Sequence, residues 1–354
     1  MRGKQNKITI HDIARKAGVS AGTVDRVIHN RSGVSENTRK EVLKFIKVLD
    51  YQPDVLARAL ASKKGIRIAA IYPGLKSGKP FWSLPEIGME KAVAEYRHFG
   101  MQLEKYPFEL SEPSSFMKQA QKLFKTTSDG IILAPGLMKE AEWFTKKCRS
   151  LNIPLIYINS RLDSGDFLSY IGQDSYASGK VAAGLMNEVI SKEKVIAIFN
   201  IEQHPETQVH INEREMGFID HSINEYGKSE KSILIFNITN ANARSVNADL
   251  EKIFSSNSIA GVYITNSRAY LIAQWLEIHK KYCPVVIGYD LIVENRKMLN
   301  KGIISFLISQ KPEEQGYKSI TTLFNFLVLG RKAEQNQLLP IDILTIENIP
   351  YYTI

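Results

Sequence analysis

The sequence predicts a small all-α head joined to an α/β body of two doubly wound parallel-sheet lobes. Two observations carry that expectation. Residues 1–64 hold 14 Lys and Arg against 6 Asp and Glu, a balance of +8 out of a net +9 for the 354-residue chain. From residue 66 onward, apolar runs alternate with longer amphipathic stretches, the pattern of a sheet covered by helices on both faces. A chain of this length exceeds one ordinary core, so more than one domain is expected.

Composition excludes several classes. The chain is 44% apolar, enough for true cores and incompatible with wholesale disorder. No run of eighteen apolar residues is present to form a membrane span. The opening MRGKQNKITIHDIARK lacks the apolar stretch and cleavage site of an export signal, which points to a cytoplasmic location. The cysteines, Cys148 and Cys283, are too few for a disulfide framework or a four-thiolate metal site.

The basic end carries helix punctuation. Thr9 followed by Asp12 has capping-box spacing and opens a helix through Ile10, Ile13, Ala14 and Ala17. Gly18 stops it, and Ser20 caps a second helix from Ala21 to about His29. There Val24, Val27 and Ile28 face inward, leaving Ala21, Gly22, Asp25, Arg26 and His29 to face out. After Gly33, Ser35 caps a third helix from Glu36 to Leu49. Three short helices with a Gly-containing turn between the first pair read as helix-turn-helix. Small residues at the start of the second helix allow its backbone into a major groove. Arg26 suits phosphate or a guanine edge, and the capped N-termini at Thr9 and Ser20 suit phosphate. A basic module of this kind calls for an anionic partner, nucleic acid before membrane. Pro53 and the Ala/Leu-rich DVLARALASKK then read as a short helix former, too short to be stable alone, ended by Gly65.

In the body, strands are expected at IRIAAIYP, MQLEKYPF, DGIILAP, PLIYINS, KVIAIFN, SILIFNI, AGVYITN, PVVIGYD and ISFLISQ, with helices between them. These are too many units for one sheet of usual size, so two lobes follow, with ligand expected in the crevice at the strand C-termini.

The stretch ITIHDIARKAGVSAGTVDRVIHN, followed by YQP and the LARAL segment, resembles the DNA-binding head of the lactose-repressor family of bacterial regulators. That resemblance implies base reading by Ala21, Gly22 and Arg26 and a minor-groove hinge in which Ala57 pairs and Leu60 wedges. The head's candidate DNA contacts are thus Thr9, Ser20, Ala21, Gly22, Thr23, Arg26, His29, Asn30, Ala57 and Leu60. Asp25 departs from the small hydroxyl residue frequent there; either it accepts from cytosine or it repels phosphate and fixes orientation. The body, through SDGIILAP, IPLIYINSRL, YIGQDSYASGK, EREMGF, VIGYD and ISQKPEEQG, is similar to the periplasmic sugar-binding proteins, the ribose binder above all. The resemblance implies a head over 1–52, a hinge over 53–65, a first lobe over 66–171 with 311–333, and a second over 172–310 with 334–354.

Matched residue by residue, the implied effector contacts are Phe81, Trp82, Arg214, Asn266, Asp290 and Gln310, and Asn159 and Arg161 are candidates where the chain departs from the relatives. A sugar needs planar polar side chains in a dry cleft and an aromatic face. Each has a structural alternative: Asp290 as a helix cap, Asn266 as a turn holder, Phe81 and Trp82 as core. Asp174 reads as a helix N-cap rather than a contact. Relatives often have Asp-Arg where this chain has Asn159 and Ser160, and Arg161 falls one residue late. That departure leaves the identity of the sugar open.

The enzyme class finds no support: no GxGxxG follows the first strand, and Walker A, HExxH and nucleophile-elbow motifs are absent. His204 and His210 near Glu202, Glu206 and Glu213 have no metal-site spacing. A secreted solute receptor needs an export signal and no basic head. An architectural DNA binder needs no cleft. The expectation is a cytoplasmic regulator without cofactor or metal, a homodimer or dimer of dimers on a palindromic operator. It acts as a repressor under a carbohydrate effector; the alternatives are an activator or a non-sugar effector.

Overall fold

The computed structural model describes residues 8–28, 30–49, 51, 65–74, 80–162, 167–202, 208–239 and 243–352. The expected hinge, with Ala57 and Leu60, and His29 therefore lie outside the described residues. The chain divides into two compact units, Met1–Ala61 and Ser62–Ile354.

In the first unit α1 (Ile10–Ala17), α2 (Ala21–Ile28) and α3 (Glu36–Val48) surround a core of Ile13, Ala14, Val24, Val27 and Val42. The local chemistry that sets their ends is explicit. The Asp12 amide donates to Thr9 Oγ1 (3.3 Å), while the Thr9 amide donates back to Asp12 Oδ2 (3.0 Å), a reciprocal cap that satisfies otherwise orphaned donors. Gly18 adopts the left-handed region (φ 65°) that closes α1, where a side chain would be strained. Ser20 Oγ then accepts from the Thr23 amide at 3.1 Å to start α2.

The second unit holds two six-stranded sheets. The first contains β1 (Ile66–Pro73), β2 (Met101–Phe108), β3 (Gly130–Leu133), β4 (Leu155–Ile158), β5 (Ser169–Gly172) and β11 (Asn336–Leu338), in the order β11-β5-β4-β3-β1-β2. The second contains β6 (Val195–Ile201), β7 (Ile233–Ile238), β8 (Ile259–Ile264), β9 (Val285–Tyr289), β10 (Phe306–Ser309) and β12 (Asp342–Leu344), in the order β12-β10-β9-β8-β6-β7. Every pair is parallel except β10 with β12. Strands β3 and β4 are buried along their length and β8 over its last four residues, as a doubly covered sheet requires. The helices are α4 (Ser83–Tyr96), α5 (Pro113–Leu123), α6 (Met138–Ser150), α7 (Ser175–Val189), α8 (Val209–Asn224), α9 (Ala243–Ser256), α10 (Ala269–Ile278), α11 (Val293–Asn300) and α12 (Pro312–Leu327).

One expected boundary needs correction. The resemblance places 334–354 wholly in the second lobe, yet Asn336–Leu338 pairs with Tyr170–Gly172 in the first sheet. The chain enters the second sheet only at Asp342, opposite Ser309. Three-residue strands carry too little pattern to be assigned from alternation. Helix α12 follows β10 but packs on α4 of the first lobe. The lobes are thus joined by three crossings, near Gly172–Asp174, Ser309–Lys311 and Leu339–Ile341.

Candidate functional site: the interlobe cleft and the helix-turn-helix surface

The cleft forms where strand C-termini of the lobes face one another, the position that this topology favours for ligands. A cavity of about 60 Å³ lies there. Phe81, Trp82, Asn159, Arg214, Asn266 and Gln310 all line it. Phe81 and Trp82 stand just before α4, edge to face at 5.0 Å, and are 6% and 8% exposed, so they belong to the first lobe's core and to the cleft wall at once. Asn159 follows β4 in the left-handed region (φ 69°), which Asn tolerates.

Arg214 lies inside α8 and is 1% exposed. Its guanidinium stacks 3.9 Å above the Tyr289 ring centroid, and Nη1 donates to the Thr265 carbonyl at 2.7 Å. Nη2 donates to Gln310 Oε1, which also accepts from Asn159 Nδ2 at 3.2 Å. Nε is buried without a hydrogen-bond partner, a donor left for whatever fills the cleft. The arginine is placed by a close helix crossing. A Cβ on Gly179 of α7 would stand 2.1 Å from the Arg214 carbonyl oxygen, and one on Gly217 of α8 equally close to that of Tyr176.

Asp290 does not line the cavity. It is fully buried, and its carboxylate accepts from the Gln310 amide (3.2 Å) and Gln310 Nε2 (2.6 Å). Burial pushes its carboxyl up to about 6, against the opposing pull of the Arg214 charge and the Gln310 hydrogen bonds. The helix-cap alternative fails as well, since Ile292 holds the N-cap position of α11. Asp290 instead aims Gln310. Asn266 does hold a turn: Nδ2 donates to the Ile201 carbonyl (2.8 Å) and Oδ1 accepts from the Arg268 amide (3.1 Å). It remains on the cleft wall while doing so.

Arg161 is not brought together with the others. It bonds Asn336 Oδ1 on β11, lies 5.3 Å from the Tyr170 ring centroid, and lines a neighbouring cavity. The Asp174 carboxylate caps α7 by accepting from the Ala177 amide at 2.8 Å, as its position in the sequence suggested.

Several cleft residues escaped sequence reasoning. Glu202, Gln208, Arg268 and Tyr270 line the cavity. Glu202 comes directly after β6, so the rule that ligands meet strand C-termini was a usable signal. Arg268 donates to the Ile201 carbonyl at 2.9 Å and sits 3.9 Å from Glu202. Gln208 Nε2 donates to the Gly136 carbonyl at 2.9 Å, a hydrogen bond from one lobe to the other. Among the described residues no group of three His, Cys, Asp or Glu is arranged to hold a metal, and no helix is long and apolar enough to cross a membrane.

On the head, Gly22 and Arg26 of α2 are exposed, while Ala21 and Thr23 are half-buried. Thr9, Ser20 and Thr23 are engaged in caps. Asn30 is left-handed (φ 50°) and its Oδ1 accepts from Arg39 Nη1 at 2.6 Å. Asp25 forms an ion pair with Arg31 at 3.2 Å.

A two-lobed α/β body with a polar cleft and a separate helix-turn-helix unit is the architecture of a ligand receptor joined to a nucleic-acid-binding head. Comparison with known proteins makes this specific. The family described as periplasmic binding protein domain matches residues 69–332, and that described as bacterial regulatory proteins, lacI family, matches residues 9–54. The chain belongs to the family of periplasmic binding protein domains, and its head matches the lacI family of bacterial regulatory proteins. A crystal structure assigned to a LacI transcriptional regulator from Bacteroides fragilis is 29% identical, with TM-score 0.74, covering 82% of this chain and all of that one. Among curated relatives, catabolite control protein A of Streptococcus mutans is 42% identical over 26% of this chain and 27% of its own length. That of Staphylococcus xylosus is 32% identical over 38% and 39%. The chain thus spans well under half the length of the curated relatives it matches. A glucose-galactose binding protein from Geobacillus stearothermophilus, 22% identical with TM-score 0.70 over 81% of this chain and all of that one, shares the fold.

Proposed function

We propose that the chain is a cytoplasmic, non-enzymatic transcriptional regulator, a repressor in its default action, whose DNA binding answers to a carbohydrate in the interlobe cleft. The observation that carries this reading is the union, in one chain, of a basic helix-turn-helix with a two-lobed receptor whose cleft presents amides, buried guanidinium and aromatic edges. Planar donors and acceptors of that kind match hydroxyl groups, and the aromatic pair matches the C–H face of a sugar ring. One small head offers too little interface for tight specific binding, so a twofold pair on a palindromic operator follows. The candidate base contacts are Ala21, Gly22 and Arg26. Thr9, Ser20 and Thr23 serve by holding helix N-termini toward phosphate.

The test is selection of duplexes from a random library by the full chain, then affinity measurements on the winner. A palindrome should emerge, and Arg26→Ala should cost roughly 1–3 kcal/mol on it while barely changing binding to random duplex. Enrichment of no sequence, or equal losses on both DNAs, would overturn the assignment.

A further inference from the structure

Beside the cleft lies a second cavity of about 240 Å³, roomier than the cleft itself. Ser160 and His210 line both, so the spaces adjoin across those residues. Ser160 contributes only a short side chain to that shared boundary. The annexe is an interlobe space too. Arg161 and Asn336 reach it from the first lobe, Asp174 and Gln173 from the first crossing, and Glu213 from α8.

Its lining is chemically prepared rather than incidental. Gln173 is 3% exposed, and its Nε2 donates both hydrogens, to the carbonyls of Ser309 (2.8 Å) and Pro340 (3.0 Å). Those bonds fix which end of the amide is oxygen, and that Oε1 is buried without a partner. A buried acceptor without a donor is uncommon in native proteins and marks a place where a donor belongs. Glu213 adds a second acceptor. Burial raises its carboxyl above the ordinary range, reinforced by Asp174 and countered by Arg161 and a hydrogen bond to Ser175. Arg161, held by Asn336 and the Tyr170 ring, supplies donors to the same lining. Acceptors and donors lining one polar space suit a group that both donates and accepts, which is what a hydroxyl does.

We infer that the annexe is a second subsite of the effector cleft, and that the effector is a disaccharide-sized carbohydrate: one ring in the cleft, the second past Ser160. This rests on the carbohydrate reading above and goes beyond it in size class. It also gives a role to the displaced Arg161, which the cleft does not use.

The test compares a panel of disaccharides with their constituent monosaccharides at equal concentration, by thermal stabilisation and calorimetry on the full chain. A disaccharide should bind at least about tenfold more tightly than either constituent, a difference of about 1.4 kcal/mol. Ser160→Arg, which fills the passage, and Arg161→Ala, which removes an exposed side chain and so spares folding, should each bring disaccharide affinity down toward the monosaccharide value. A monosaccharide binding as tightly as any disaccharide, or a disaccharide indifferent to both substitutions, overturns the annexe and leaves the cleft reading standing. No stabilisation by either class overturns both readings together.

Discussion

Asp290 has no solvent contact, and its carboxylate is spent on Gln310 rather than on the cavity. Its ionisation is therefore a matter of stability. With the folded carboxyl raised from 3.8 to about 6, the native state holds a proton that the unfolded chain has lost between those values. The stabilisation is complete below pH 4 and disappears as pH rises through about 6, reaching on the order of 2–3 kcal/mol in total. Asp290→Asn cannot titrate, so its stability relative to the parent should climb across that window and level off above it. Urea unfolding at a series of pH values measures this; a difference flat from pH 4 to pH 7 would mean that Arg214 and Gln310 already hold the carboxyl ionised. The variant should also weaken effector binding, since Gln310 loses one of its anchors. The sequence pointed to Asp290 but not to its contact, because only the fold shows its carboxylate bonded to Gln310, which lines the cavity.

At the scale of elements, the crossing of α7 and α8 positions the cleft's central cation. Gly179→Ala would set a methyl 2.1 Å from the Arg214 carbonyl, against backbone that has no flexible end to move. Overpacking of this kind costs roughly 1–3 kcal/mol, and separation of the helices should pull Arg214 off Tyr289. Effector affinity should fall with stability, whereas Thr9→Ala, which loses only the α1 cap at about 1 kcal/mol, should leave effector affinity unchanged. Thermal melts and calorimetry on both variants separate these effects; equal effector affinities would show that Arg214 tolerates the shift. Elements of this size were readable because periodicity and caps are local. The Thr9–Asp12 box, Gly18 and the unbroken apolar runs of the central strands needed no tertiary information. Strands β11 and β12, three residues each, and β5, which lacks the unbroken apolar run of β3 and β4, were not readable, for they are strands only by virtue of their neighbours. The direction of Arg161 was equally hidden. Left-handed Asn159 ends the alternation that predicts facing, and the partner Asn336 arrives 175 residues later.

At the scale of the molecule, the three interlobe crossings are tied by one side chain. Gln173 lies on the first and donates to carbonyls on the other two, Ser309 and Pro340. Gln208 bonds the Gly136 carbonyl across the lobes, and Asn159 bonds Gln310 at the second crossing. Cleft closure transmits to a DNA-binding head only if the lobes move as coupled bodies about a defined hinge. Gln173→Leu tests the tie. It removes an unpaired acceptor, which favours the variant, but it takes the donor from the buried Ser309 carbonyl and the partly buried Pro340 carbonyl, which outweighs the gain by roughly 1–3 kcal/mol. Tryptophans report the lobes separately: Trp82 and Trp143 lie in the first, Trp275 in the second. In versions of the chain keeping one tryptophan each, parent unfolding in urea should coincide at Trp143 and Trp275, the mark of a cooperative body. With Gln173→Leu the two transitions should part, because the carbonyls that join the crossings no longer share a donor. Coincident transitions at reduced stability would place the coupling elsewhere, in the Gln208 and Gln310 bonds, and would predict that Gln208→Ala separates them instead.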